Sequence, residues 1–396
     1  MDLMDSKKKW MLGLLPLLLL AVVVVGLFMG IDKIIQRPDI PLEEITFDRV
    51  WLEKDHIKAQ VTNTGTDPVK IAQVTVNGAI WNADIQPDPE LSRLEEAQIN
   101  IPYHWVEGEP YEITLVTETG AKFSGEVAAA TEAPKPNASS FGLFALIGVL
   151  VGVIPVLLGL IWKPFVARLQ GKGYTFILAV TAGLLLFLGV DSLEAALELA
   201  FELPEAYQGI GLLLLAGLGS FLILNGINEY AQTREQLGRK WSPRLTVAYL
   251  IAFGIGLHNL GEGLAIGAAF TLGEVAMGAF LIMGFTLHNI TEGLAIVAPI
   301  AREQISSVRL LRHLFLLGLL GGSPAVLGTW IGGFLYSQIW SLVFLGIGAG
   351  AIFQVVVEVM KLARSEREET LFSLHGAAGL LTGILVMLVT AVFVSA

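Results

Sequence analysis

The chain has 396 residues, 54% of them hydrophobic and only 15% charged, where a soluble protein carries about a quarter. Its formal charge of -11 comes with no basic face for phosphates, which excludes nucleic acid as a partner. There is no cysteine, so disulfides, thiolate ligands and thiol catalysis are excluded, and any metal must be held by nitrogen and oxygen donors.

In chain order, Lys7, Lys8 and Lys9 precede about twenty apolar residues, 11 to 31, enough to cross the hydrocarbon core. A signal peptide would have a shorter apolar region and an A-x-A-like cleavage site, so residues 1-31 are expected to be a cytoplasmic start and a retained anchor. Residues 40-130 alternate apolar and polar in short runs such as "EITFDRVWL", "HIKAQVTNTG" and "VKIAQVTVNG", broken by Asn-Gly, Thr-Gly and Asp-Pro turns. About seven strands are expected, in a small β-sandwich whose pattern resembles immunoglobulin-like modules of prokaryotic surface proteins. His56 and His104 lack acidic neighbours at ligand spacing and read as ordinary strand or surface residues. Residues 131-140, rich in Pro, Ala and Ser, read as a linker.

From residue 141 to 396 eight apolar segments follow, roughly 141 to 162, 174 to 199, 208 to 227, 244 to 269, 275 to 299, 311 to 335, 338 to 362 and 372 to 395. If the anchor starts inside, the sandwich lies outside and the loops after the first, third, fifth and seventh core segments face the cytoplasm. Every Lys and Arg beyond residue 135 falls in those loops or at their edges. This positive-inside pattern puts the N-terminus in the cytoplasm of a multi-pass cell-membrane protein, with the sandwich and the C-terminus outside.

At the outer end of the second segment Asp191, Glu194, Glu198 and Glu202 recur at three- and four-residue steps, an acidic stripe able to concentrate dications. For the outer acids a solvated helix end is an equal reading. Asp191, the deepest, is the expected pathway residue. His313 and His375 begin their segments at opposite faces and read as interfacial residues.

The fourth and fifth segments carry "LHNLGEGLAIG" and "LHNITEGLAIV". On a helix His258, Asn259 and Glu262 share one face, and His288, Asn289 and Glu292 repeat the pattern. Ionisable groups at membrane depth are costly and mark an ion or substrate route. A short loop makes the two segments antiparallel, so a two-fold axis in the membrane plane would bring two imidazoles and two carboxylates together. Such a donor set suits Zn2+ or another first-row dication, with two negative charges against two positive ones.

The paired motifs resemble the H-N-x-P-E-G signatures on the fourth and fifth helices of the ZIP (Zrt/Irt-like) metal transporters, particularly their prokaryotic branch. The likeness covers residues 141-396. It implies an eight-helix core in a 3+2+3 inverted-repeat arrangement and alternating-access uptake of a divalent metal into the cytoplasm. It also implies metal ligation by His258, Glu262, His288 and Glu292, with the glutamates bridging and Asn259 and Asn289 leaning towards a second metal. The motif proline is Gly261 in one copy and Thr291 in the other, so a kink would have to come from Gly261 or from Thr291 bonding to the backbone. Ser323 stands before Pro324 where the family often has Glu-Pro, so the second metal is expected to be weak or absent. Gln354 and Glu358 on the seventh segment complete the expected pathway.

The fold class expected is therefore an α-helical polytopic membrane protein with an added anchor and sandwich. The function expected is transport of a divalent metal, zinc first, with iron, manganese, cobalt or cadmium open, and no resident cofactor or enzymatic activity. The partners are the metal ions and the lipid bilayer. Oligomeric state stays open, a homodimer included, as does the partner of the sandwich. A metal-binding receptor or sensor without transport is the alternative. An intramembrane metal-dependent hydrolase fits less well, because the polar groups are duplicated rather than diversified and H-E-x-x-H is absent.

Overall fold

The computed structural model describes residues 18–20, 22, 43–235, 242–303, 306–365 and 373–392. Most of the expected anchor lies outside the described residues; the few that are described, 18–20 and 22, are helical.

Nine strands are present among the described residues: β1 (Ile45–Glu53), β2 (His56–Asn63), β3 (Val69–Val76), β4 (Ala79–Trp81), β5 (Asp84–Gln86), β6 (Glu90–Leu91), β7 (Glu96–Pro102), β8 (Tyr111–Thr117) and β9 (Lys122–Val127). One sheet has the order β1-β2-β7-β5 and the other β4-β3-β8-β9, with β6 pairing onto β3. The short β4, β5 and β6 explain the excess over seven, because two or three residues do not show an alternation. Alternate residues of the longer strands fill the core, Ile57, Ala59 and Val61 of β2 with Ile99 and Ile101 of the neighbouring β7 in one sheet facing Ile113 and Leu115 of β8 in the other. In β1, Phe47 pairs with Val61 and Arg49 with Gln60, so Asp48 is the extra residue of a bulge, a feature that re-aims side chains. Burial raises the Asp48 carboxyl to about 6, although the Thr62 hydroxyl donates to it at 2.6 Å. His104 has an acidic neighbour that its spacing did not reveal, Asp55 Oδ1 at 2.7 Å from Nδ1, while His56 Nδ1 lies 3.0 Å from Asn100 Oδ1.

Eight helices among the described residues are long and apolar enough to cross a membrane: α1 (Ala138–Val166), α2 (Lys172–Glu202), α3 (Glu205–Tyr230), α4 (Pro243–Thr271), α5 (Val275–Val297), α6 (Ser307–Phe334), α7 (Gln338–Ala363) and α8 (Leu374–Ala391). α4 starts where Ser242 caps it, its hydroxyl accepting from Leu245 N at 3.2 Å with Pro243 in the first turn, and stops before Gly273, whose φ is +83°. Two spans are irregular. α1 passes through a π-helical turn at Val149–Val153, just before Pro155, and α6 is split at Ser323 and Pro324.

The packing is two-fold in pattern. α4 packs on α6 as α5 packs on α1, α3 on α7 as α8 on α2, while α4 meets α5 and α2 meets α7. Exchanging α1 with α6, α2 with α7, α3 with α8 and α4 with α5 leaves this set unchanged, as two inverted three-helix repeats around a central pair require. The motif glycines hold these contacts. A Cβ at Gly263 would lie 2.2 Å from the Ala325 carbonyl oxygen of α6, and one at Gly293 would lie 2.3 Å from the Val156 carbonyl oxygen of α1. In lipid, where helices associate by close van der Waals packing, neither position tolerates a side chain.

The sandwich meets the end of the bundle where α3 starts and α6 ends. Tyr207 lies beside Thr62, and the linker runs beside β1, Ala133 N donating to Leu52 O at 2.8 Å.

Candidate metal centre

His258, Asn259 and Glu262 project from the middle of α4, and His288, Asn289 and Glu292 from α5, and all six are buried. Among the described residues, His258, Glu262, His288 and Glu292 form a group able to hold a metal ion: one ligand atom from each lies within 4.8 Å of the others. His258 Nε2 is 3.2 Å from Glu262 Oε1, and His288 Nε2 contacts the same oxygen. The asparagines cross over between the helices. Asn259 Nδ2 donates to Glu292 Oε2 at 3.1 Å, and Asn289 Nδ2 donates to Glu262 Oε2 at 3.0 Å.

The irregular spans complete this pattern. Pro155 has no N–H to return to the carbonyl four residues earlier, and that carbonyl, Val151 O, accepts from Asn289 Nδ2 at 3.0 Å. On the opposite side, just before the break in α6, Gly321 O accepts from Asn259 Nδ2 at 3.0 Å. Each amide nitrogen thus spends its protons on a carboxylate and a backbone oxygen, and its own oxygen is left over. Asn259 Oδ1, Asn289 Oδ1 and Glu292 Oε1 are buried without a hydrogen-bond partner. Three orphaned oxygens beside two imidazoles are costly in a protein interior unless a cation meets them.

Residues 228–391 match the family model described as ZIP Zinc transporter. Over that stretch, somewhat less than half of the chain, the sequence is similar to the ZIP family. ZIP-family proteins are transporters of divalent metals, and the buried His/Glu group of this chain fits a metal site. The matched region includes both motif copies, while α1 and α2, which lie before it, add Val151 and Ser192 to the same neighbourhood.

Ser192 is the residue that sequence reasoning missed. Its Oγ donates to Leu188 O at 2.7 Å and lies 2.8 Å from His258 Nδ1. With the hydroxyl proton on Leu188 O, Ser192 Oγ accepts from Nδ1–H, which leaves the Nε2 lone pair of His258 aimed at the centre. The only signal was a small polar residue next to Asp191 in an apolar span. The carbonyls of Val151 and Gly321 were signalled by the mid-span prolines alone.

The other expected residues are spread out. Asp191 is exposed yet interacts electrostatically with His258, His288 and Glu262, whereas Glu194, Glu198 and Glu202 are simply exposed. Ser323 is exposed at the α6 break, outside the four-residue group. Gln354 and Glu358 are buried on α7, where Gln354 Nε2 donates to Glu358 Oε1 at 3.4 Å and Lys361 Nζ donates to the same oxygen at 2.8 Å. Thr291 bonds to the backbone, donating to His288 O at 2.6 Å, while α4 runs unbroken through Gly261. His313 Nδ1 lies 2.9 Å from the Tyr249 hydroxyl.

Proposed function

We propose that the chain carries divalent transition-metal ions, zinc foremost, into the cytoplasm through the His258, Asn259, Glu262, His288, Asn289 and Glu292 centre. The observation that carries this reading is the buried group itself: two imidazoles and two carboxylates within 4.8 Å, bordered by three unpartnered oxygens. Two carboxylates offset the charge of one dication, and imidazole and carboxylate are ordinary donors for first-row metals. Asp191 is the last acid before the centre on the outer side, and Gln354 and Glu358 lie on the route beyond it. The two irregular spans border the centre from opposite sides, and such backbone is where spans bend during alternating access.

The proposed organisation is an anchor at 1–31, an extracytoplasmic sandwich at 40–130, a linker at 131–140 and a transport domain at 141–396. The N-terminus is placed in the cytoplasm by the basic loops. The sandwich supports this arrangement by lying beside loops that carry no Lys or Arg.

Liposomes containing the purified chain should accumulate Zn2+ down its gradient. Tight Zn2+ binding without accumulation would favour the receptor reading over transport. The native chain has no cysteine, so Glu107→Cys reports orientation cleanly and should be labelled from outside intact cells. Labelling from the cytoplasmic face alone would reverse the topology.

A further inference from the structure

We propose that the cavity between the sandwich and the outer ends of α1 and α6 binds one anionic phospholipid. The cavity encloses about 430 Å³, within the size range of small-molecule sites, and its two halves differ in chemistry. Phe141, Ile331, Phe334 and Leu335 form an apolar half, and Arg49 and Lys135 bring cationic groups from β1 and the linker.

Arg49 is the decisive group. The bulge at Asp48 precedes it in β1, and its guanidinium stacks 4.9 Å above the Trp51 ring. Its Nε is buried without a hydrogen-bond partner, and among the described residues no carboxylate pairs with it. The neighbouring charges are already engaged, Glu53 with Lys58 at 2.9 Å and Lys135 with Glu132 at 2.8 Å. A buried guanidinium nitrogen without an acceptor is costly, and a phosphate diester matches the half-buried group in charge and geometry.

The apolar half selects the kind of anion. Phe141 stands near the start of α1, Phe334 ends α6, and Leu335 follows it, so the cavity sits where two spans leave the hydrocarbon. Aromatic residues gather at this depth, and Trp330 Nε1 donates to Phe141 O at 3.0 Å here. Phe141 and Leu335 are exposed, so acyl chains can pass them into the bilayer while the headgroup reaches Arg49. A free anion would satisfy Arg49 and leave the apolar half uncovered.

Native mass spectrometry of the full chain in non-ionic detergent tests this, with phosphatidylglycerol, phosphatidylcholine and glycerol 1-phosphate added separately. One phosphatidylglycerol should be retained, with phosphatidylcholine on the order of tenfold weaker. Arg49→Gln should lose that preference by on the order of tenfold, and Arg49→Lys should keep most of it. Gln presents no second charge and leaves β1 pairing intact, so folding is checked by unchanged Zn2+ binding. Ile331→Trp, which fills the apolar half, should expel the lipid without altering Zn2+ binding. Equal retention of both lipids, or indifference to Arg49→Gln, overturns the proposal. So does binding of glycerol 1-phosphate as tight as that of the lipid, which would mark a simple anion site. A Leu335→Cys variant that crosslinks efficiently to a cysteine placed within residues 11–42 would show that the chain itself fills the cavity, and would equally overturn it.

Discussion

The sandwich and the helical bundle each bury an acid, and they deal with it differently. In the sandwich Asp48 is half-buried at a bulge, with the Thr62 hydroxyl donating to it, and burial raises its carboxyl to about 6, so it gives up its proton only as neutral pH is approached. In the bundle Glu262 and Glu292 face each other with two imidazoles, two crossing asparagines and three oxygens without partners. A proton on one carboxylate does not satisfy the orphaned amide oxygens. A dication does. The lesson is that the number of acceptors left over, rather than burial alone, separates a tolerated acid from a binding site.

The largest expected effect tests the bundle half of this contrast. Glu262→Gln or Glu292→Gln keeps size and hydrogen bonding but removes one charge from a poorly screened centre. Zn2+ affinity should fall by on the order of a hundredfold or more, and uptake into liposomes should be lost, while thermal stability without metal changes little. Normal uptake by both variants would reduce the cluster to a structural knot between helices.

A smaller effect is expected at Ser192. Ser192→Ala removes the acceptor for His258 Nδ1–H and frees the ring, which should weaken Zn2+ binding roughly 10- to 100-fold, and Ser192→Thr should restore most of it. Calorimetric titration of both variants separates positioning from bulk packing, since a packing defect would be made worse by the larger threonine.

Asp191→Ala should slow uptake at limiting metal by roughly tenfold and leave the rate at saturating metal nearly unchanged, because it acts on local dication concentration. Glu202→Ala, farther from the centre, should do much less. If the two variants behave alike, the stripe is only a solvated helix end.

The smallest effect belongs to the sandwich. Because the folded carboxyl of Asp48 titrates near 6 against an ordinary 3.8, the folded state holds this proton more tightly than the unfolded chain. Its contribution to stability is therefore gained as pH falls through about 6 and is complete below about 3.8, the reverse of a salt-bridged acid. Asp48→Asn should raise the melting temperature at pH 7.5 by about 2–4 °C and flatten its dependence between pH 5 and 7. Wild-type stability that instead drops on acidification through this window would mean that the carboxylate is held as an anion.

Sequence by itself determined the parts with a regular period or a repeated pattern. Eight apolar runs of spanning length, the alternating strands and the two H-N-x-x-E-G copies are each local, and local patterns are set by element geometry. Because the copies lie on antiparallel neighbours, the pattern also placed His258, Glu262, His288 and Glu292 near one another. What only the tertiary structure decided depends on contacts between distant segments. Ser192 lies 66 residues from His258, and Val151 lies 138 from Asn289, so no spacing rule connects them. The orientation of the asparagines, nitrogen to carboxylate and oxygen left free, follows from carbonyls that two irregular spans expose, and the unpaired state of Arg49 follows from a one-residue bulge. In each case a backbone irregularity re-aims a polar group, and its consequence exists only where another element has been packed against it.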